Sequence, residues 1–357
     1  MPPLRLAMLG AGNVAESYVR QIRRLREEGL DVELAAICSR RAEPARRLAE
    51  LFGIAESGTD IAAQLSRRDI DAVIVLTPMQ CHAEHVRLAL ASGKHVLSEK
   101  TLAASAEEGR GLAVLAAERG LLLRAAPFTT LSPVFRDARR RLERGEIGEP
   151  LCCRALYGWE GPDWADWFFR PGAGALRDLG VYALTTLTGL LGPVASVFAL
   201  ASAVEAGGRG QGLQLSLRFA SGCVGTVTTG FGLRKFRTSG IEIYGSAGTL
   251  QFVGQDWDPK GLQLWRADTA CWQLFEQEAT WPWTDGVRDF CASIIEGTAG
   301  DLSLDHALHV LDIIDQALAS LDGGLPMPVA SRFALPRSQS LAEGSKAQPI
   351  HNPLTLT

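Results

Sequence analysis

The sequence has few cysteines, and it lacks the cysteine spacings that a disulfide framework or a zinc site needs. Seven cysteines occur in 357 residues, none of them in a CxxC pair, and only Cys152 and Cys153 are adjacent. An odd, unpatterned set of this kind is typical of reduced thiols. We therefore expect a cytoplasmic protein without structural disulfides.

A strong excess of charge of either sign is also missing. The chain has 36 basic and 40 acidic side chains, for a net charge of -4. This balance gives no long-range attraction to nucleic acid or to anionic lipid. Arginines cluster near residues 20–26 and 139–141, but both segments look helical, and a solvated helix face explains them more simply. We expect neither nucleic acid nor a membrane as a partner.

No apolar run is both long and unbroken. The apolar run at the N-terminus is too short for a signal peptide. Residues 179–204 carry no charged side chain, but Gly189 and the pair Gly192-Pro193 interrupt them. The pattern predicts a core helix, "ALTTLTGLL", followed by a strand, "VASVFALASAV".

The length of 357 residues and the hydrophobic content of 46% suit two folded domains. In the N-terminal part, three apolar segments, "LRLAMLG", "VELAAICS" and "DAVIVLTP", alternate with helix-like segments. This alternation predicts a parallel, doubly wound α/β sheet.

Glycines follow the first of these strands in the spacing Gly10-x-Gly12-x-x-Ala15. In a dinucleotide-binding turn, the first glycine permits the sharp bend and the second lets pyrophosphate approach the backbone. The third, small residue lets the helix pack on the strand. We expect pyrophosphate at the helix N-terminus, in contact with Asn13 and Val14.

The second strand ends at Ser39, Arg40 and Arg41, where an NAD-binding protein normally has an acidic residue. A hydroxyl and two guanidinium groups can bind the 2'-phosphate that an acidic residue would repel. The residues therefore favour NADP(H), with NAD(H) also possible if one arginine only faces water.

The third strand ends at Thr77-Pro78, and His82 and His85 follow in a helix-like segment. The two histidines are spaced for a metal pair, but no third ligand accompanies them, so we expect no metal site. The simpler interpretation places Thr77, Pro78 and His82 at the cofactor edge.

Six segments in order resemble the family of glucose-fructose oxidoreductase, inositol dehydrogenase and related sugar dehydrogenases. They are "GAGNVAES", "TPMQCHAEH", "ALASGKHVLSEK", "RGEIGEP", "GAGALRDLGVY" and "IYGSAGTLQF". The resemblance implies an N-terminal Rossmann domain, residues 1–127, and a C-terminal α+β domain with an open, largely antiparallel sheet, residues 128–325. Residues 335–357 are polar and contain prolines, which predicts a tail or an arm.

In members of that family with an "EKP" motif, the lysine reaches the reacting carbon of the substrate. Glu99 and Lys100 match this motif, whereas Thr101 stands where proline is usual. The resemblance therefore assigns Lys100 to catalysis and places Glu99 and Lys100 beside the cofactor.

The family's second catalytic cluster reads Asp-x-Gly-x-His, and here it is Asp178-x-Gly180-x-Tyr182. With tyrosine in the last position, the sequence resembles the branch of the family that contains glucose-fructose oxidoreductase and some ketosugar reductases. A phenol can donate a proton, and a nearby lysine ammonium would stabilise its phenolate. Three roles stay open for Asp178: it orients this site, it balances the charge of Lys100, or it only caps a helix.

Tryptophans precede this cluster at Trp159, Trp164 and Trp167, and Arg170 follows them. Aromatic rings stack on sugars or fill a core equally well. Trp167 and Arg170 are the substrate-contact candidates.

The leading hypothesis is an NADP(H)-dependent oxidoreductase acting on a secondary alcohol or ketone of a carbohydrate-like small molecule. Two alternatives stay open: a cofactor-binding sensor without catalysis, and a redox-assisted glycosidase that retains NAD. The resemblance also implies a homodimer or homotetramer formed through the C-terminal sheet.

Overall fold

A computed structural model describes residues 2–163, 165–170, 173–202, 212–233, 240–255, 257–276 and 281–335. The chain forms two compact units. The first comprises Met1–Phe128, Arg170–Ala173 and Pro282–Leu311, and the second comprises Thr129–Phe169, Gly174–Trp281 and Asp312–Thr357. Neither unit is one continuous stretch, and the boundaries 1–127 and 128–325 stay a prediction. Most of the expected tail, residues 336–357, lies outside the described residues, as does Trp164.

The first unit contains the parallel sheet that the strand and helix alternation predicts. Its strands are β1 (Leu4–Leu9), β2 (Val32–Cys38), β3 (Glu56–Gly58), β4 (Ala72–Val75), β5 (His95–Ser98) and β6 (Leu123–Ala125). They lie in the order β3-β2-β1-β4-β5-β6, and every neighbouring pair is parallel. This is the dinucleotide-binding order, in which ligands bind beyond the carboxyl ends of the strands. The prediction of a doubly wound sheet is confirmed.

Helices cover this sheet because their apolar residues recur at helical spacing. They are α1 (Ala15–Glu27), α2 (Ala42–Phe52), α3 (Ile61–Leu65), α4 (His82–Ala91) and α5 (Ala106–Glu118). Their ends carry the expected signals. Asp60 and Ser105 accept hydrogen bonds from the N–H groups of Ala63 and Glu108, and Gly53 ends α2 with φ of +66°.

The second unit is built on a nine-stranded sheet. The strands are β7 (Pro150–Trp159), β8 (Val194–Ala201), β9 (Gly212–Phe219), β10 (Val224–Phe231), β11 (Ile241–Gly245), β12 (Gly248–Gln255), β13 (Asp258–Arg266), β14 (Cys271–Glu276) and β15 (Met327–Pro328). Their order is β14-β13-β12-β11-β7-β10-β9-β8-β15. Among these described strands only β7 and β10 pair in parallel, so the largely antiparallel sheet is also confirmed.

One face of this sheet is covered and the other is open. Along β9 the residues alternate strictly, with Leu213, Leu215 and Leu217 buried and the residues between them exposed. Helices α6 (Pro133–Glu143) and α7 (Val181–Leu191) belong to the same unit. This alternation is the pattern of an antiparallel sheet with one side in the core.

The described part of the uncharged stretch, residues 179–202, contains a helix and a strand, as predicted: α7 followed by β8. In the described part of the chain no helix is long and apolar enough to cross a membrane. All seven cysteines are free thiols.

Two further helices lie between β14 and β15 in the sequence. Helix α8 (Gly286–Glu296) belongs to the first unit, whereas α9 (Leu304–Gly323) begins in the first unit and ends in the second. In the first unit, Leu308 and Leu311 of α9 join the apolar core beside Leu112 and Ala103.

Candidate functional site

The turn after β1 requires glycine at its first position. Gly10 has φ of +112°, and its N–H donates to the carbonyl oxygen of Cys38 over 2.8 Å. A Cβ at this position would lie 2.5 Å from the carbonyl oxygen of Leu76. At Gly12, by contrast, a Cβ would meet no heavy atom within 4 Å. This open space before a helix start is what an approaching pyrophosphate needs, so the turn fits a dinucleotide.

Helix α1 begins directly after this turn. Asn13 is exposed, and Val14 is the half-buried N-cap residue. Valine has no polar side-chain atom with which to cap a helix. The Ala15 N–H donates to the carbonyl oxygen of Gly12 over 3.0 Å, and Val14 makes no side-chain capping bond, so an anion can approach this helix end without displacing a cap.

The end of β2 presents polar and positive groups. The Ser39 hydroxyl donates to the carbonyl oxygen of Arg41 over 2.5 Å, while Arg40 and Arg41 are both exposed. Burial raises the pKa of the Cys81 thiol, with a further rise from Glu84, and the Arg40 charge opposes this shift. The Arg40 charge is therefore close enough to influence Cys81 in the segment after β4.

The segment after β4 is held by two histidines in different ways. His82 is 1% exposed, with Nδ1 2.7 Å from the carbonyl oxygen of Thr101 and Nε2 2.7 Å from that of Thr77. The Thr77 hydroxyl contacts Nδ1 of His85 at 2.9 Å, and Pro78 is exposed. Both nitrogens of His82 thus contact the main chain, so its influence on a cofactor would pass through Thr77 and Thr101.

Glu99 and Lys100 follow β5 at the carboxyl edge of the parallel sheet. Glu99 is buried, and its Oε1 accepts a hydrogen bond from the Tyr18 hydroxyl over 2.7 Å. Its Oε2 accepts from the N–H of Lys100 over 3.0 Å. Lys100 itself is half-buried, and the Lys100–Thr101 peptide bond is cis. The buried acid thus holds the lysine's main chain.

Asp178 and Tyr182 lie in the second unit, where a short π-helix, Leu176–Gly180, leads into α7. Asp178 is 8% exposed, and its N–H donates to the carbonyl oxygen of Gly174 over 3.0 Å. The Tyr182 ring meets that of Tyr157 edge-on, with centroids 6.2 Å apart. A single π-helical turn inside a helix often marks a functional site.

Aromatic residues before this helix form one cluster with Phe231 of β10. Phe168 and Phe231 are its buried members, and Trp159, Trp167 and Phe169 pack against them, partly exposed. Trp167 stacks on Phe168, with ring centroids 3.7 Å apart. Trp167 is therefore compatible with a role in the core and with a role in substrate contact, because it packs in the cluster while part of its ring remains accessible. Arg170 is exposed.

Sequence reasoning missed Tyr18. On α1 the buried residues Ala15, Tyr18, Val19 and Ile22 recur at helical spacing, which places Tyr18 on the inward face. A hydroxyl on that face needs a partner. This requirement was the available signal, but it does not say which residue the partner is.

Two family models match most of the chain. The model described as "Oxidoreductase family, NAD-binding Rossmann fold" matches residues 4–126. The model of the "GFO/IDH/MocA C-terminal domain" matches residues 135–251.

Curated relatives and solved structures agree with these models. The 1,5-anhydro-D-fructose reductase of Ensifer adhaerens is 30% identical over 253 residues, which are 69% of this chain and 74% of that protein. A dTDP-3,4-didehydro-2,6-dideoxy-alpha-D-glucose 3-reductase of Streptomyces antibioticus is 30% identical over 331 residues, 89% of this chain and 97% of the relative. The crystal structure of a 3-ketoreductase from Actinomadura kijaniata in complex with NADP and TDP-benzene has a TM-score of 0.78 and 26% identity, covering 89% and 98% of the two chains.

Proposed function

This chain belongs to the GFO/IDH/MocA family of oxidoreductases, and from that premise we propose that it transfers hydride between NADP(H) and a secondary alcohol or ketone of a sugar or polyol-like substrate. The observation that carries the proposal is the position of Lys100. It follows β5 at the carboxyl edge of the parallel strands, the edge at which the Gly10 turn follows β1. Ligands of doubly wound sheets bind at this edge.

The protein's own residues have three roles in this proposal. When bound, the nicotinamide supplies or accepts the hydride. The Lys100 ammonium binds the substrate oxygen and stabilises the negative charge that develops on it. The Tyr182 hydroxyl gives that oxygen a proton in reduction and takes it back in oxidation. Asp178 precedes Tyr182 by about one helical turn and orients it.

NADP(H) is the cofactor we propose, with NAD(H) as a weaker substitute. Ser39, Arg40 and Arg41 offer a hydroxyl and two exposed guanidinium groups where the 2'-phosphate would lie. The 3-ketoreductase structure with NADP supports this choice by analogy.

The substrate class we propose is a carbohydrate that carries a ketone or secondary hydroxyl on its ring. The two curated relatives named above are reductases of an anhydro-ketose and of a nucleotide-linked keto sugar. Trp167 and Arg170 are the proposed contacts, one through ring stacking and one through hydrogen bonds to hydroxyl or phosphate oxygens.

An activity assay separates an enzyme from a sensor. NADPH oxidation is followed with a panel of free and nucleotide-linked keto sugars, beside direct titration of NADPH binding. We expect turnover with at least one sugar, and Lys100→Met is expected to lower kcat about 10²–10³-fold while leaving NADPH affinity unchanged. Binding of NADPH without its oxidation in the presence of any sugar of the panel would indicate a sensor. Normal turnover by Lys100→Met would overturn the proposed role of Lys100.

We also propose a homodimer or homotetramer formed through the open face of the nine-stranded sheet. A cavity of about 560 Å³ lies on this face, and Phe198 and Arg218 are among its lining residues. Leu200 is 59% exposed and Val224 44% exposed on the same sheet. Exposed apolar groups on a broad face indicate a partner surface. Analytical ultracentrifugation should find a dimer or tetramer that Leu200→Glu weakens, and a monomeric parent protein would contradict the proposal.

A further inference from the structure

We propose that Tyr18 is a positioning residue for Lys100 and that it acts through the carboxylate of Glu99. This inference rests on the proposed role of Lys100 in catalysis. It adds a residue that lies on α1, a different element from β5, and 81 residues from Glu99 in the sequence.

The packing around Tyr18 restricts the orientation of its side chain. Its side chain is fully buried, and the ring of Trp283 meets it edge-on, with centroids 5.7 Å apart and planes at 85°. One turn further along α1, the Gln21 amide donates to the Asp285 carboxylate over 2.8 Å. These contacts fasten the first turns of α1 to the residues that precede α8. The Tyr18 hydroxyl therefore has little freedom to point elsewhere.

Every polar group of Glu99 has a partner within the first unit. Its N–H donates to the carbonyl oxygen of Val75, and its own carbonyl oxygen accepts from the Ser98 hydroxyl. Of the two carboxylate oxygens, one accepts from Tyr18 and the other from the N–H of Lys100. A buried carboxylate needs such donors, because burial removes the water that would otherwise solvate it.

The arrangement makes the lysine's main chain depend on the tyrosine. Without the hydroxyl, Oε1 of Glu99 would lack this donor in a buried place, and the carboxylate would turn towards another one. Turning would draw Oε2 away from the N–H of Lys100. A displacement of about 1 Å at a reacting group costs about 10²-fold in rate. The same helix that offers its N-terminus to the cofactor would thus also set the position of the lysine.

The test is Tyr18→Phe, which removes one oxygen and keeps the ring against Trp283. Tyr244→Phe is the matched control, because the Tyr244 hydroxyl also hydrogen-bonds to a buried glutamate, Glu242, in the second unit. For each variant, kcat, KM, the Kd of NADPH and the fraction of folded protein are measured. We expect Tyr18→Phe to lower kcat about tenfold or more per folded molecule, with NADPH affinity nearly unchanged and Tyr244→Phe close to the parent.

Two further variants keep the outcome decisive. Glu99→Asp shortens the carboxylate so that it cannot reach both Tyr18 and the Lys100 N–H, and it should lower kcat in the same way. In a Lys100→Met background, Tyr18→Phe should cause no further loss, because both changes act on one group.

The possible failures are distinguishable. A kcat for Tyr18→Phe within about twofold of the parent, or a full additional loss in the Lys100→Met background, overturns the positioning role. Normal turnover by Lys100→Met alone overturns the proposed function instead.

Discussion

Nδ1 of His82 lies 2.7 Å from the carbonyl oxygen of Thr101, the residue that follows the candidate lysine. Its Nε2 lies equally close to the carbonyl oxygen of Thr77, so one buried ring joins the segment after β4 to the segment after β5. A neutral imidazole donates from only one nitrogen. Burial lowers the pKa of His82, while the two carbonyl groups and the charge of Glu99 act in the opposite direction.

Replacing this ring should cost stability. A neutral His82 can donate to only one of the two carbonyl oxygens, so His82→Phe fills the space but leaves that acceptor without its donor, and we expect a loss of about 2 kcal/mol in the free energy of unfolding. His85→Phe is the control, because His85 is half-buried and its one hydrogen-bond contact shown here is with a hydroxyl, that of Thr77. Urea titration of both variants measures the difference, and equal losses would contradict this account of His82.

The two glycines of the turn after β1 should respond differently to alanine. Gly10→Ala places a Cβ 2.5 Å from the Leu76 carbonyl oxygen at a positive φ, and it should lower the free energy of unfolding by about 3 kcal/mol. Gly12→Ala meets no atom, so stability should change by less than about 0.5 kcal/mol. Its affinity for NADPH should nevertheless fall, because the methyl group occupies the approach of the pyrophosphate. Unchanged NADPH affinity in Gly12→Ala would contradict the placement of the pyrophosphate at this turn.

Cofactor choice should depend on the arginines after β2. Arg40→Ala and Arg41→Ala each remove a guanidinium group from the proposed 2'-phosphate site, and the Kd of NADPH should rise about tenfold in at least one of them. The Kd of NADH should stay nearly constant. Arg47→Ala, an exposed arginine on α2, is the control and should leave both values unchanged. An equal change in NADPH and NADH affinity would contradict the assignment.

Stability should fall as the pH drops below about 6.5, in part through His95. Nδ1 of His95 accepts a hydrogen bond from the N–H of Leu122 over 2.9 Å, and burial lowers its pKa despite the opposing charge of Asp71. The folded state therefore binds the proton less readily than the unfolded state. The stability present above the unfolded pKa is lost as the pH falls towards the folded pKa.

His95→Asn is the informative variant for this effect. The Asn side-chain oxygen can accept the same hydrogen bond from Leu122 but does not titrate. Its free energy of unfolding should fall less than that of the parent between about pH 7.5 and pH 5. The variant should still lose some stability over this pH range, since burial also lowers the pKa of His82 and of His85. Parallel curves for the two proteins would contradict the role of His95.

The fold could be predicted from the sequence because its signals are local. The turn at Gly10, the apolar strands around it and the break at Gly192-Pro193 each act within a few residues, and the structure confirms the sheets built from them. The hydrogen bond between Tyr18 and Glu99 could not be predicted, because its partners are 81 residues apart and meet only through packing. The π-helical turn before Tyr182 was missed as well, since it inserts a residue without a composition signal.

It could not be predicted from the sequence either which segments pack into the same compact unit. Pro282–Leu311 join the first unit although they follow β7 to β14 of the second unit in sequence. Trp283 and Asp285 in this stretch contact Tyr18 and Gln21 of α1. Such contacts arise from tertiary packing, which the periodicity of a single segment does not encode.

Transfer of deuterium from the cofactor to the sugar is the decisive measurement for the proposed hydride transfer. The protein is incubated with a keto sugar that it turns over and with NADPH deuterated at the hydride position of the nicotinamide, and the sugar product is analysed by mass spectrometry and NMR. We expect one deuterium on the carbinol carbon of the product for each NADPH oxidised. A product without deuterium, with the cofactor returned unchanged, would contradict the proposed net transfer of hydride from NADPH to the sugar.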